Sequence, residues 1–193
     1  MPYRSIAGLV FLALSAVPAL AQSDAPPAEG DAVAAQWEPH QVRFRYAGFT
    51  TDYTCDGIRH KVKLLLQALG ARKDVKVTGS CGDVSRPQPF HNLQVAFAIP
   101  VAAPEGAAEG ETFQARWQEV SLARHHDIEG GDCELVEQFV QQVLPLLNAR
   151  DVKNEVRCVP HKANLHQPRL TLTVLMPVEE QEAPGDPPVS PAP

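Results

Sequence analysis

Two stretches decide the fold: CDGIRHKVKLLLQALGARKDVK at residues 55–76 and CELVEQFVQQVLPLLNARDVK at residues 133–153. Laid on each other at an offset of 78, Cys55 meets Cys133, Val62 meets Val140, Leu66 meets Leu144, Leu69 meets Leu147, and Ala71-Arg72 meets Ala149-Arg150. Lys73 is one extra residue, after which the offset is 77. Asp74-Val75-Lys76 then meets Asp151-Val152-Lys153, Cys81 meets Cys158, Leu93 meets Leu170, and Pro100-Val101 meets Pro177-Val178. A register that aligns both cysteines and the Ala-Arg/Asp-Val-Lys run reads as a duplicated module.

Periodicity gives the module its content. Ile58, Val62, Leu65, Leu66 and Leu69 lie on one helical face, and Val136, Val140, Val143, Leu144 and Leu147 repeat that face. Gly70 and Asn148 stand where a left-handed C-cap is wanted. Pro145 removes a backbone hydrogen bond, so it should kink the second helix or loosen its last turn. Leu93 to Ile99 and Leu170 to Met176 alternate as half-buried strands, and shorter strands are predicted over Val75–Cys81 and Val152–Cys158. Before each helix lies another strand, with Val42, Phe44 and Tyr46 answered by Val120 and Leu122. Between Trp117 and Val120 the apolar parity changes, which predicts either a bulge or a strand that starts at Phe113.

The predicted fold is therefore α+β. It is a tandem strand-helix-strand-strand module with two helices packed on antiparallel sheet and one disulfide per module. Residues 37–104 form the first module and 105–178 the second.

The flanks read differently. Residues 1–21 carry a basic start, an apolar run and a small-x-small end, the pattern of a cleaved secretory signal, and no later run is long enough to span a membrane. Residues 22–36 and 179–193 are rich in Pro, Ala and acid, and read as a disordered linker and a disordered tail. They hold much of the acidity behind the formal net charge of -6, a balance that argues against a nucleic-acid partner. Within the modules the charges separate, since the first carries an excess of base and the second an excess of acid.

An exported chain places its four cysteines in an oxidising space. A helix of about 22 Å followed by a returning strand brings the chain back level with the helix start. Cys55 is thus expected to pair with Cys81, and Cys133 with Cys158.

Chemistry-bearing motifs are sparse. His125-His126-Asp127 sits in a predicted loop and could hold copper or zinc, although on an extended chain adjacent side chains point to opposite sides. Arg43, Arg45, Arg59, Lys61 and Lys63 concentrate positive charge that could meet an anionic partner. No catalytic motif and no cofactor-binding motif is present. The sequence thus points to a periplasmic or secreted, non-catalytic binding module. Its expected partner is another envelope or extracellular protein, or an anionic envelope polymer. A metal-handling protein that uses the His125-His126 loop, and a hydrolase with a site assembled between the modules, are the alternatives.

Overall fold

A computed structural model of the chain describes residues 32–80, 86–104, 106–107, 112–162 and 166–178. The expected signal at 1–21, most of the linker, Cys81 and the tail at 179–193 lie outside the described residues.

Six strands and two α-helices follow in the order β1 (Ala32–Ala47), α1 (Cys55–Ala68), β2 (Lys76–Ser80), β3 (Phe90–Ala102), β4 (Phe113–Ser121), α2 (Cys133–Gln142), β5 (Ala149–Asn154) and β6 (Leu170–Pro177). The fold is α+β. All six strands form one antiparallel sheet in the order β2-β3-β1-β4-β6-β5. Each half contributes strand, helix, strand, strand, and β1 and β4 meet at the centre.

Two registers coincide across the halves. Val42 faces Val95 in the β1–β3 ladder, and Val120 faces Leu172 in the β4–β6 ladder. These are the same pair once the offsets of 78 and 77 are applied. At the central seam Ala35 faces Phe113, two positions also 78 apart.

Both helices cover one face of the sheet. Ile58, Val62, Leu65 and Leu66 of α1 and Val136 and Phe139 of α2 bury themselves on Phe44, Leu93, Val95, Leu172 and Val174. Thr54 caps α1 by accepting the Gly57 N–H at 3.1 Å. On the opposite strand parity, and so on the other face, Ala35, Ala115, Trp117 and Leu175 make a second small cluster. The Arg150 guanidinium lies 3.5 Å from the centroid of the Trp117 ring.

Several sequence expectations change. The stretch 22–36 does not stay unstructured to its end, because β1 starts at Ala32 and Ala32–Ala35 pair with β4. Composition undervalued these small residues, since what holds them is the backbone ladder, and Ala35 is completely buried. β4 starts at Phe113 and pairs with β6 without a register break, so the parity change near Trp117 is no bulge. Leu122 belongs to a short 3₁₀ turn (Leu122–Arg124) rather than to the strand.

The second helix is the more altered. α2 stops at Gln142 and a 3₁₀ turn, Leu144–Leu146, forms around Pro145, as the missing N–H demands. Gly70 has the left-handed φ of 88° expected after α1, whereas Asn148 has no such geometry, because α2 has already ended. The chain therefore joins the sheet earlier, and β5 spans Ala149–Asn154 instead of Val152–Cys158. Its ladder with β6 is interrupted between Arg150 and Lys153, where Asp151 takes a φ of 50°.

Cys133 and Cys158 are joined, with their Cα atoms 5.7 Å apart, so the start of α2 is tied to the chain beyond β5. Cys55, the first residue of α1, is disulfide-bonded as well. Among the described residues no helix is long and apolar enough to cross a membrane.

Candidate functional site

The two helix flanks beside the seam are finished differently. On α2, Gln138 and Gln142 reach the β1 main chain. The Gln138 amide accepts from Ala47 N–H and donates to Ala47 C=O, both at 2.8 Å. Gln142 does the same with Arg45 at 2.9 and 2.8 Å. Each side chain imitates one residue of a neighbouring strand. Glu134, in the first turn of α2, accepts from Phe49 N–H, Thr50 N–H and Thr50 Oγ at 3.0 to 3.1 Å. This gap is closed.

On α1 the positions 78 residues earlier are His60 and Leu64, and here the gap stays open. His60, Lys63, Leu64 and Gln67 follow at i, i+3, i+4 and i+7 on one flank. They look across a cavity of about 1130 Å³ to Arg116 and Gln118 of β4 and Met176 of β6. Trp37, stacked on Phe113 with centroids 4.6 Å apart, and the turn Gly70–Lys73 complete the wall. Lys63, Arg72, Lys73 and Arg116 bring four cationic side chains to the lining, which among the described residues contains no Asp, Glu, Ser or Cys. Arg72 grips Asp74 through two bonds of 2.8 and 2.7 Å, and that hydrogen bonding holds the Asp74 carboxyl below its ordinary range. The side chains of Lys63 and Arg116 have no hydrogen-bond or ion-pair partner among the described residues.

The five basic residues expected to form one patch are dispersed. Arg43 and Arg45 alternate with the buried Phe44 and Tyr46 and project from the other face of the sheet. Arg59 donates to Gly79 C=O at 2.7 Å and to Asp56 at 3.3 Å. Lys61 donates to Asp132 at 2.8 Å and to the Asp127 carbonyl. Only Lys63 faces the cavity. Residues two apart on a helix differ by about 200° in direction, so Lys61 points away from Arg59 and Lys63.

Asp132, at the end of the short 3₁₀ turn Gly130–Asp132 before α2, is a buried node. Besides Lys61 it accepts from Tyr53 Oη at 2.6 Å and from Glu129 N–H at 2.8 Å. Burial, reinforced by the bond to Asp132, pushes the Tyr53 phenol well above its ordinary 10.0. Burial also raises Tyr46, with the Glu134 charge adding to it.

His125-His126-Asp127 follows the short 3₁₀ turn after β4. His126 Nε2 lies 3.1 Å and His125 Nδ1 3.8 Å from the same Asp127 oxygen. The two rings are stacked, 5.5 Å apart and within 3° of parallel. They do not point to opposite sides, because the chain turns here instead of running extended. His91, in contrast, is buried in β3 and its Nε2 contacts the carbonyls of Tyr53 and Gln88 at 2.9 and 3.1 Å.

Sequence reasoning missed the cavity, although its trace was visible: Arg116 and Gln118 occupy the parity that should have been apolar. Comparison with protein-family models, with curated proteins and with solved structures yields no match.

Proposed function

We propose that this protein is an exported module that works by binding, and that the cavity between α1 and the β4–β6 face takes an anionic amphiphile. One observation carries the reading. Lys63 and Arg116 face each other's wall across about 1130 Å³ of space with no carboxylate among the described lining residues to neutralise them. Trp37, Leu64 and Met176 supply apolar surface beside that charge. Ligand cavities commonly combine a mostly apolar wall with a few placed polar groups in about 300–1,000 Å³, and this one is of that order. A carboxylate, phosphate or sulfate head would meet the cations, and its hydrocarbon or aromatic body would cover the Trp37–Met176 surface.

Binding is favoured over hydrolysis because the described lining residues offer neither a hydroxyl or thiol nucleophile nor a carboxylate beside His60. Sheet edges are the poorer binding surface. β2 is only five residues long with Lys76 at its end, and β5 is broken at Asp151. Export is supported by the N-terminal pattern and by the Cys133–Cys158 bond. The coincident β1–β3 and β4–β6 registers support a duplicated ancestor, and on that reading Cys55 pairs with Cys81.

The test is a fluorescence titration with anilinonaphthalenesulfonate, followed by competition with decanoate and with decyltrimethylammonium. Single-site binding reversed by decanoate alone is expected, weakened about tenfold or more in Lys63→Glu or Arg116→Glu, which corresponds to the loss of a charge-assisted contact. No saturable binding, or equal competition by the cationic amphiphile, would end the reading.

A further inference from the structure

We infer that His125, His126 and Asp127 form a binding site for a divalent transition-metal ion, separate from the cavity. The three donor atoms lie within 4.8 Å of one another. Donors about 2.0–2.2 Å from a tetrahedral ion stand about 3.3 Å apart. The Asp127 oxygen already stands 3.1 Å from His126 Nε2 and 3.8 Å from His125 Nδ1, so small side-chain rotations complete the set.

The His125 Nδ1 atom makes a second, independent argument. It is shielded from solvent and has no hydrogen-bond partner. A buried ring nitrogen without a partner costs free energy, and a metal ion would supply one.

The scaffold fits the task. The Ile128 N–H donates to the His125 carbonyl at 3.0 Å, closing a tight turn with His126 and Asp127 at its tip. Leu122 and Ile128, both completely buried, fasten the two ends of the loop, and the Lys61 ammonium holds the Asp127 carbonyl. The backbone that carries the donors is thus held in place before an ion arrives, which lowers the entropy cost of ligation. Two imidazoles and one carboxylate, without thiolate, select zinc(II), copper(II) or nickel(II) over calcium and magnesium, which require mostly oxygen. His126 is 88% exposed on its side chain, so the remaining coordination positions are open to water or to a ligand from outside. An open position is the arrangement of an ion that exchanges or reacts, in contrast to a closed structural site.

The experiment is isothermal titration of the untagged, folded protein with zinc chloride, copper chloride and calcium chloride. One equivalent of zinc or copper should bind and calcium should not. His126→Ala should weaken binding about tenfold or more while the far-ultraviolet dichroism stays unchanged, since this side chain is exposed. Imidazole NMR signals of His125 and His126 should shift together on zinc addition. A flat titration, wild-type affinity in His126→Ala, or shifts confined to other histidines would overturn the assignment.

Discussion

Tyr53 joins the halves through a single oxygen, and its chemistry gives the molecule an alkaline limit. Buried and bonded to Asp132, it keeps its proton well above the pH at which a free tyrosine ionises, and Tyr46 behaves in the same way. The folded state therefore binds these protons more tightly than the unfolded chain, whose tyrosines ionise near 10.0. Below that pH the stabilisation is fully present. Above it the unfolded chain releases protons that the fold retains, so stability falls as pH rises. An alkaline titration followed by phenolate absorbance should show Tyr46 and Tyr53 ionising only together with loss of far-ultraviolet dichroism. Ionisation of Tyr46 or Tyr53 near 10 with the fold intact would refute the placement of that ring. Nothing in the local sequence marks Tyr53 or Asp132 as partners, because they are 79 positions apart and meet only when α1 and α2 lie side by side.

At the scale of elements, the reading of periodicity succeeded where side-chain burial repeats over several turns and failed where one residue intervenes. The α1 stripe from Ile58 to Leu69 was legible, and so was the weakness at Pro145. The consequence of Pro145 for β5 was not, because an earlier helix stop shifts a strand only through the sheet it joins. The Arg116–Gln118 parity break was visible but uninterpretable without knowing that α1 leaves a space above it. Gly70 shows how closely the α1 exit is fitted to that space. Its φ is 88°, and a β-carbon there would stand 2.8 Å from the Leu175 carbonyl oxygen and 2.9 Å from Met176 Sδ. Gly70→Ala is expected to cost about 1–3 kcal/mol. In urea the midpoint should fall with an unchanged slope, and an unshifted midpoint would contradict the close approach of α1's exit to β6.

For the whole molecule, the four-residue seam Ala32–Ala35 on Phe113–Arg116 is short for a sheet of six strands. Cohesion between halves comes also from Lys61–Asp132, Tyr53–Asp132 and the three α2 side chains on β1 and its loop. This division of labour makes the staple inside the second half matter. The Cys133–Cys158 bond spans 25 residues, and in the chain-entropy model a loop of that size is worth about 3.5 kcal/mol. Reduction should lower the thermal midpoint clearly, and peptide mapping without reduction should recover Cys133 with Cys158 and Cys55 with Cys81. Peptides linking one half to the other, or a midpoint indifferent to reductant, would contradict this account.

Gln138, Gln142 and Glu134 take hold of main-chain atoms of Arg45, Ala47, Phe49 and Thr50, with one hydroxyl as the exception. An interface built in this way is indifferent to most side chains on one of its two sides. The exposed side chains of Arg45 and Phe49 are thus free to change identity over evolutionary time without a compensating change in α2, whereas Gln138, Gln142 and Glu134 have no such latitude. The surface next to the seam can acquire new contacts one substitution at a time while the halves stay locked.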